Sequence, residues 1–155
     1  MDEQKITVTQ VNPRLPSIVM LIEELDRHLG QLYPAESNYL MDLDALSAPD
    51  VRFFAANEGD DVLGCGAIKL FDEYAEVKRV YVTARARGRG VAMRILRALE
   101  DATRDAGLRV MRLETGVFQP DAIALFEKVE FRRCSSFGDY PKSDPYSVFM
   151  ERHLP

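Results

Sequence analysis

VYVTARARGRGVA, residues 80–92, is the stretch on which the reading of this chain turns. Its first residues alternate as the end of a strand, with Val80 and Val82 on one face and Tyr81 on the other. Arginine and glycine take over from Arg85. From Gly90 the apolar residues 91, 92, 95, 96, 99, 102 and 106 fall at helical spacing, until Gly107 stops the run. A strand that turns through arginines and glycines into a helix leaves several backbone N–H groups at the helix start without an intrahelical partner. Those groups carry partial positive charge and suit an anion. Gly88 and Gly90 let a phosphate come close to the backbone, and Arg85, Arg87 and Arg89 add forked donors. The residues alone leave two readings open, a phosphate cradle or a tight turn with solvated arginines. A Walker-type loop does not fit, because no Lys-Ser or Lys-Thr follows the glycines. A dinucleotide fingerprint fails too, because Met93 stands at its third glycine.

Upstream of this stretch, residues 75–82 form the strand itself. Residues 51–56 and 62–71 predict a hairpin around Glu58-Gly59-Asp60-Asp61. Residues 14–32 carry apolar side chains at 15, 18, 21, 22, 25 and 29, a helix with Pro16 in its first turn. Residues 6–11 predict a strand, 30–37 a loop and 42–46 a short helix. Downstream, 110–117 is a strand and 121–129 a helix. Residues 131–137 and 147–152 close the pattern as two strands around a proline-containing loop. The order predicts a mixed α/β (α+β) sheet with helices on its faces, in a single domain spanning 1–155.

Composition narrows the function. The 46% hydrophobic and 29% charged fractions are those of a globular protein. No apolar run approaches the ~20 residues of a membrane span, and the start, MDEQKITVTQ, does not resemble a secretory leader. Cys65 and Cys134 stand alone, which predicts packed thiols in a reducing, cytoplasmic setting. With His28 and His153 as the only histidines, no metal site is expected. A net charge of −5 argues against a nucleic-acid partner. The charge is uneven. In residues 21–50 the acids Glu23, Glu24, Asp26, Glu36, Asp42, Asp44 and Asp50 face Arg27 alone. In 78–97 seven Lys and Arg residues face no acid. The basic segment can hold an anion, and the acidic one either attracts a cation or is a solvated face.

RGRGVA, residues 87–92, matches the acetyl-CoA signature Q/R-x-x-G-x-G/A, and here the chain resembles the GNAT superfamily of N-acetyltransferases. EVKRVYV (76–82) is similar to the strand before that signature, and LETG (113–116) to the strand after it. AIALFEKVEF (122–131) resembles the family's A-x-x-L-Y-E-K-x-G-F, and VLGCGA (62–67) an earlier strand. The resemblance covers about residues 51–154. It implies a GNAT-like fold, a central and mostly antiparallel sheet splayed at the cofactor strand with helices on both faces. It also implies acetyl-CoA as cosubstrate. The backbone of Arg87, Gly88, Arg89, Gly90, Val91 and Ala92 would hold the pyrophosphate, and that of Val80, Tyr81 and Val82 the pantetheine arm, with Gln119 and Phe126 beside it. Phe126 stands where the family usually carries a proton-donating tyrosine, and Glu130 where a glycine usually ends the helix.

Glu76 is the expected base. It opens the cofactor strand and by alternation shares a face with Lys78, Val80 and Val82, with Glu24 and Glu114 as further candidates. Tyr140 is the expected proton donor in place of Phe126, with Tyr81 and Cys134 behind it. The acceptor pocket is expected from residues 25–40, where Tyr33, Glu36 and Ser37 would touch the substrate, and from the loop around Tyr140. The expected activity is acetyl transfer to a primary amine of a small molecule, the acidic stretch favouring a cationic acceptor. The alternatives are a protein lysine or N-terminal acetyltransferase, and a non-catalytic coenzyme A sensor. Exposed sheet edges admit a homodimer.

Overall fold

The computed structural model of the chain describes residues 5–37, 39 and 41–155. Residues 38 and 40, part of the stretch expected to shape the acceptor pocket, lie outside the described residues. Among the described residues seven strands make one sheet: β1 (Ile6–Gln10), β2 (Val51–Glu58), β3 (Asp61–Leu70), β4 (Ala75–Val82), β5 (Val110–Gly116), β6 (Arg132–Cys134) and β7 (Ser147–His153). Their order is β1-β2-β3-β4-β5-β7-β6. The helices are α1 (Pro16–Leu32), α2 (Leu43–Leu46), α3 (Val91–Asp105) and α4 (Pro120–Lys128).

Each neighbouring pair of strands is antiparallel except β4 and β5, which run parallel. That parallel pairing covers only Ala75–Val77 against Met111–Leu113. Beyond it β4 and β5 part, which is the splay that the family resemblance implies. One apolar core lies under α3 and α4, around Ile95, Leu99, Met111 and Met150. A second lies under α1 and α2, around Ile18, Leu46 and Phe53. Helix α3 crosses β3 where that strand has no side chains: a Cβ on Gly66 would stand 2.6 Å from Ile95 Cγ2.

Three boundaries differ from the sequence reading. Helix α1 ends at Leu32, as the 14–32 reading has it, so the loop expected from Gly30 begins only at Tyr33, whose N–H still donates to Leu29 O at 3.1 Å. The hairpin turn shrinks to Gly59-Asp60, with Gly59 at φ +60°. Strand β6 stops at Cys134 rather than running to 137. Phe137 instead turns inward, packing edge-on to Phe149, Tyr74 and Tyr140.

The alternation expected along β4 is broken. Lys78 pairs with Ala67 and Tyr81 with Cys65, so β4 spends one more residue than β3 over this span. The extra residue is a bulge at Arg79, which takes φ +58°. Glu76 and Lys78 therefore share the α1 face with Tyr81 rather than with Val80 and Val82. The two valines turn to the α3 face, where they stand beside Gly66 and Gly64.

Candidate functional site

Arg79 is an arginine in the left-handed region, a conformation that costs about 1–2 kcal/mol without glycine. Its side chain is anchored on the α1 side. The guanidinium pairs with the Asp26 carboxylate and donates to Met41 O at 2.6 Å. The Cys65 thiol donates to Arg79 O at 3.2 Å from the neighbouring strand. These contacts fix the bulge, and the bulge turns β4 away from β5.

A cavity of about 120 Å³ sits in the resulting gap. Its floor is β4 at 77–80 and β5 at 113–116. Its walls come from the end of α1, from α4, and from the loops carrying Tyr39 and Tyr140. Tyr33, Ser37, Val80, Gln119, Phe126 and Tyr140, all expected at the site, line it. The Tyr33 hydroxyl donates to Gln119 Oε1 at 3.3 Å and accepts from the Phe118 N–H at 3.0 Å. A Cβ on Gly116 would fall 1.9 Å from that hydroxyl, so α1 docks on β5 only because the residue there is glycine. Glu36 is exposed on the turn after α1 and does not line the cavity. Glu24 is exposed on α1 beside Tyr81, and Cys134 lies on β6, both outside it.

The two carboxylates on the cavity side differ in their surroundings. Glu76 is 4% exposed and tied on two sides. Its Oε2 accepts from Tyr140 Oη at 2.5 Å and pairs with Lys78 Nζ at 2.9 Å. Lys78 also donates to the Tyr140 hydroxyl at 2.5 Å. Burial first, and then the Glu76 charge, push the Tyr140 pKa well above its ordinary value, so this hydroxyl holds its proton.

Glu114, on β5, lines the cavity itself. Ser147 Oγ, on β7, donates to its Oε2 at 2.8 Å. Burial raises the Glu114 pKa to about 7. The Ser147 bond and Lys78 pull it down, while Asp144 and Glu76 push it up. Across the cavity mouth the Tyr39 hydroxyl donates to the Asp144 carboxylate, and that bond drives the Tyr39 pKa up to about 12. Tyr39, Ser147, Asp144 and Tyr146 carry no sequence signal of their own; only tertiary packing brings them here.

The cradle lies at the other end of the splay. Gly88 and Gly90 take φ +80° and +75°, and nothing stands within 4 Å of a Cβ placed on either. Gly90 caps α3 without any side-chain bond, and the Arg94 N–H reaches back to Gly90 O at 3.2 Å. The amides of 91–93 thus start the helix without acceptors inside it. Arg85 and Arg89 are held in ion pairs with Asp61 and Glu58, while Arg87 lies 6.0 Å over the Tyr81 ring. Open space, left-handed glycines and an uncapped helix start fit a pyrophosphate group. Among the described residues, no group of three His, Cys, Asp or Glu side chains is gathered as a metal site would need. Nor is any described helix long and apolar enough to cross a membrane.

Residues 18–131 match the family described as "Acetyltransferase (GNAT) family". A protein of Azospirillum brasilense named IAA acetyltransferase is 48% identical over 151 residues, covering 96% of this chain and 98% of that one. A solved structure from Klebsiella pneumoniae, described as an acyl-CoA N-acyltransferase, superposes with TM-score 0.81. It is 32% identical and covers 96% of this chain and 97% of its own. An N-acetyltransferase from Thermoplasma acidophilum, solved in complex with coenzyme A, shares the fold with TM-score 0.75 at 14% identity, over 97% of this chain and 99% of that one.

Proposed function

The chain belongs to the GNAT acetyltransferase family, and from that premise we propose that it acetylates a primary amine of a small molecule, by direct attack within a ternary complex. It is an acyl-CoA-dependent N-acyltransferase. The observation that carries the finer reading is a buried carboxylate with a pKa raised to about 7, set in a cavity at the opening of the splayed sheet.

The amides at the start of α3, with Arg87 beside them, would hold the pyrophosphate of acetyl-CoA. The β4 backbone past the bulge would pair with its pantetheine arm. Bound acetyl-CoA supplies an acetyl group already activated as a thioester. Glu114 takes the proton from the acceptor's ammonium, and a base poised near the working pH does this best. Ser147 holds the Glu114 carboxylate in one orientation. Glu76, committed to Lys78 and Tyr140, stiffens the floor of the site. Tyr140 keeps its proton and positions these two groups.

Tyr39, Tyr140 and Tyr146 line a cavity of only about 120 Å³, a size that favours a small amine over a protein tail. Titration calorimetry with acetyl-CoA tests the cradle. Wild type is expected to bind in the micromolar range and Gly90→Glu not at all. Equal binding by the two proteins would remove the cradle from the reading. Thiol release from acetyl-CoA with a panel of small amines tests the transfer; binding without release from any amine would leave a coenzyme A sensor.

A further inference from the structure

We infer that the acceptor carries a single ammonium, and that polycationic amines are excluded. This rests on the proposed N-acetyl transfer and deepens it.

Among the described residues that line the cavity, Glu114 is the sole carboxylate, while Lys78 and Arg79 bring two cations. The cations are balanced from outside the lining, Lys78 by Glu76 and Arg79 by Asp26. One acceptor ammonium can therefore meet Glu114. A second held inside the cavity would find no free carboxylate, only cations that already have their counterions.

The acidic stretch 21–50, expected to draw a polycation, does not serve this cavity. Asp26 holds Arg79, Asp42 accepts from the Ala45 N–H at the start of α2, and Asp44 pairs with Arg14. Glu23, Glu24, Glu36 and Asp50 are exposed, and none of the seven lines the cavity. Asp144, at the mouth, is taken up by the Tyr39 hydroxyl and the Tyr146 N–H.

Beyond Glu114 and the two paired cations the lining is neutral, a mixture of rings and leucines with the polar groups of Ser37, Thr115 and Gln119. Tyr39, Tyr140, Tyr146 and Phe126 present rings, and Leu25 and Leu29 close the α1 side. Burial or a carboxylate neighbour raises the pKa of Tyr39 and Tyr140, so both stay neutral. None of these groups supplies a second negative charge for a polyamine or a polycationic aminosugar.

The test is thiol release from saturating acetyl-CoA by the full chain, with 2-phenylethylamine, benzylamine, spermidine and kanamycin as acceptors. The aromatic monoamines should exceed spermidine and kanamycin in kcat/KM by at least ~100-fold. Leu29→Glu, which adds a second carboxylate to the wall, should narrow that ratio at least ~10-fold. Spermidine or kanamycin turned over as well as the monoamines would overturn the inference while leaving N-acetyl transfer intact. An unchanged ratio in Leu29→Glu would overturn its electrostatic basis. No release with any of the four would overturn the inference, while N-acetyl transfer is decided separately by the wider amine panel.

Discussion

Glu76 and Glu114 lie on neighbouring strands and face the same side of the sheet, yet only one of them has no cation bound to it. Glu76 is buried against Lys78 and Tyr140, so Glu76→Gln leaves an ammonium without its counterion. That change should cost roughly 3–5 kcal/mol of stability, read by urea denaturation. Glu114→Gln has the opposite profile. It should lower kcat by about 10²–10⁴-fold while leaving acetyl-CoA affinity in calorimetry unchanged. If Glu114 is the base, the acid limb of the kcat/KM profile sits near its pKa of about 7. Ser147 stabilises the ionised carboxylate, so Ser147→Ala should move that limb to higher pH. A limb that stays in place would show that Glu114 is not the titrating group. The sequence offered both glutamates as candidates for the base, Glu76 first, but nothing in it shows how their surroundings differ. Both glutamates sit on strands rich in apolar residues, and what separates them is Ser147 and Tyr140, brought in from more than thirty residues away.

At the scale of elements, most of the plan was open to reading. Strand β4 and helix α3 begin and end within a residue of where alternation, helical spacing and Gly107 put them. The bulge at Arg79 was not, because arginine gives no signal for a positive φ. Once it is present, the face expected for Val80 and Val82 inverts. The splay itself was readable only through the resemblance of the flanking motifs, since no local pattern announces a strand pair that separates. Glu130 is a second case of a residue in a glycine's conformation. It follows α4 at φ +72°, where its N–H donates to Glu127 O and the Phe131 N–H to Phe126 O. Its ion pair with Arg152 spans 3.9 Å and Glu130 itself is exposed, so that contact contributes little. Glu130→Gly should therefore stabilise the protein by about 1 kcal/mol, visible as a raised Tm with unchanged activity. A lower Tm would mean that the ion pair outweighs the backbone strain.

For the molecule as a whole, the raised pKa of Glu114 links folding to pH. In the unfolded chain this carboxyl titrates at its ordinary value of 4.5, and in the folded protein at about 7. Between those values the folded state holds a proton that the unfolded state has released. The group's contribution to stability is thus present below pH 4.5 and is lost as pH rises through 7. The loss is on the order of 3–4 kcal/mol, at about 1.4 kcal/mol for each pKa unit. Glu114→Gln should remove this slope, so its Tm at pH 8 should exceed that of wild type while the two converge near pH 4. Equal slopes would place the carboxyl in water rather than in the cavity.

The three-residue parallel contact between β4 and β5 has a mechanical meaning as well as a chemical one. It divides the sheet into a four-strand block, β1 to β4, and a three-strand block, β5 to β7, joined by a short seam and by the cores around it. A molecule lying in the open wedge would bridge the two blocks and share in their hydrogen bonding. Amides on either side of the seam would then exchange with solvent as two independent groups in the free protein and as one when the wedge is filled. At a hundredfold excess over its Kd such a ligand adds about 2.7 kcal/mol, laid across the joint where the sheet is least continuous. The cosubstrate would in that sense complete the fold as an eighth, removable strand.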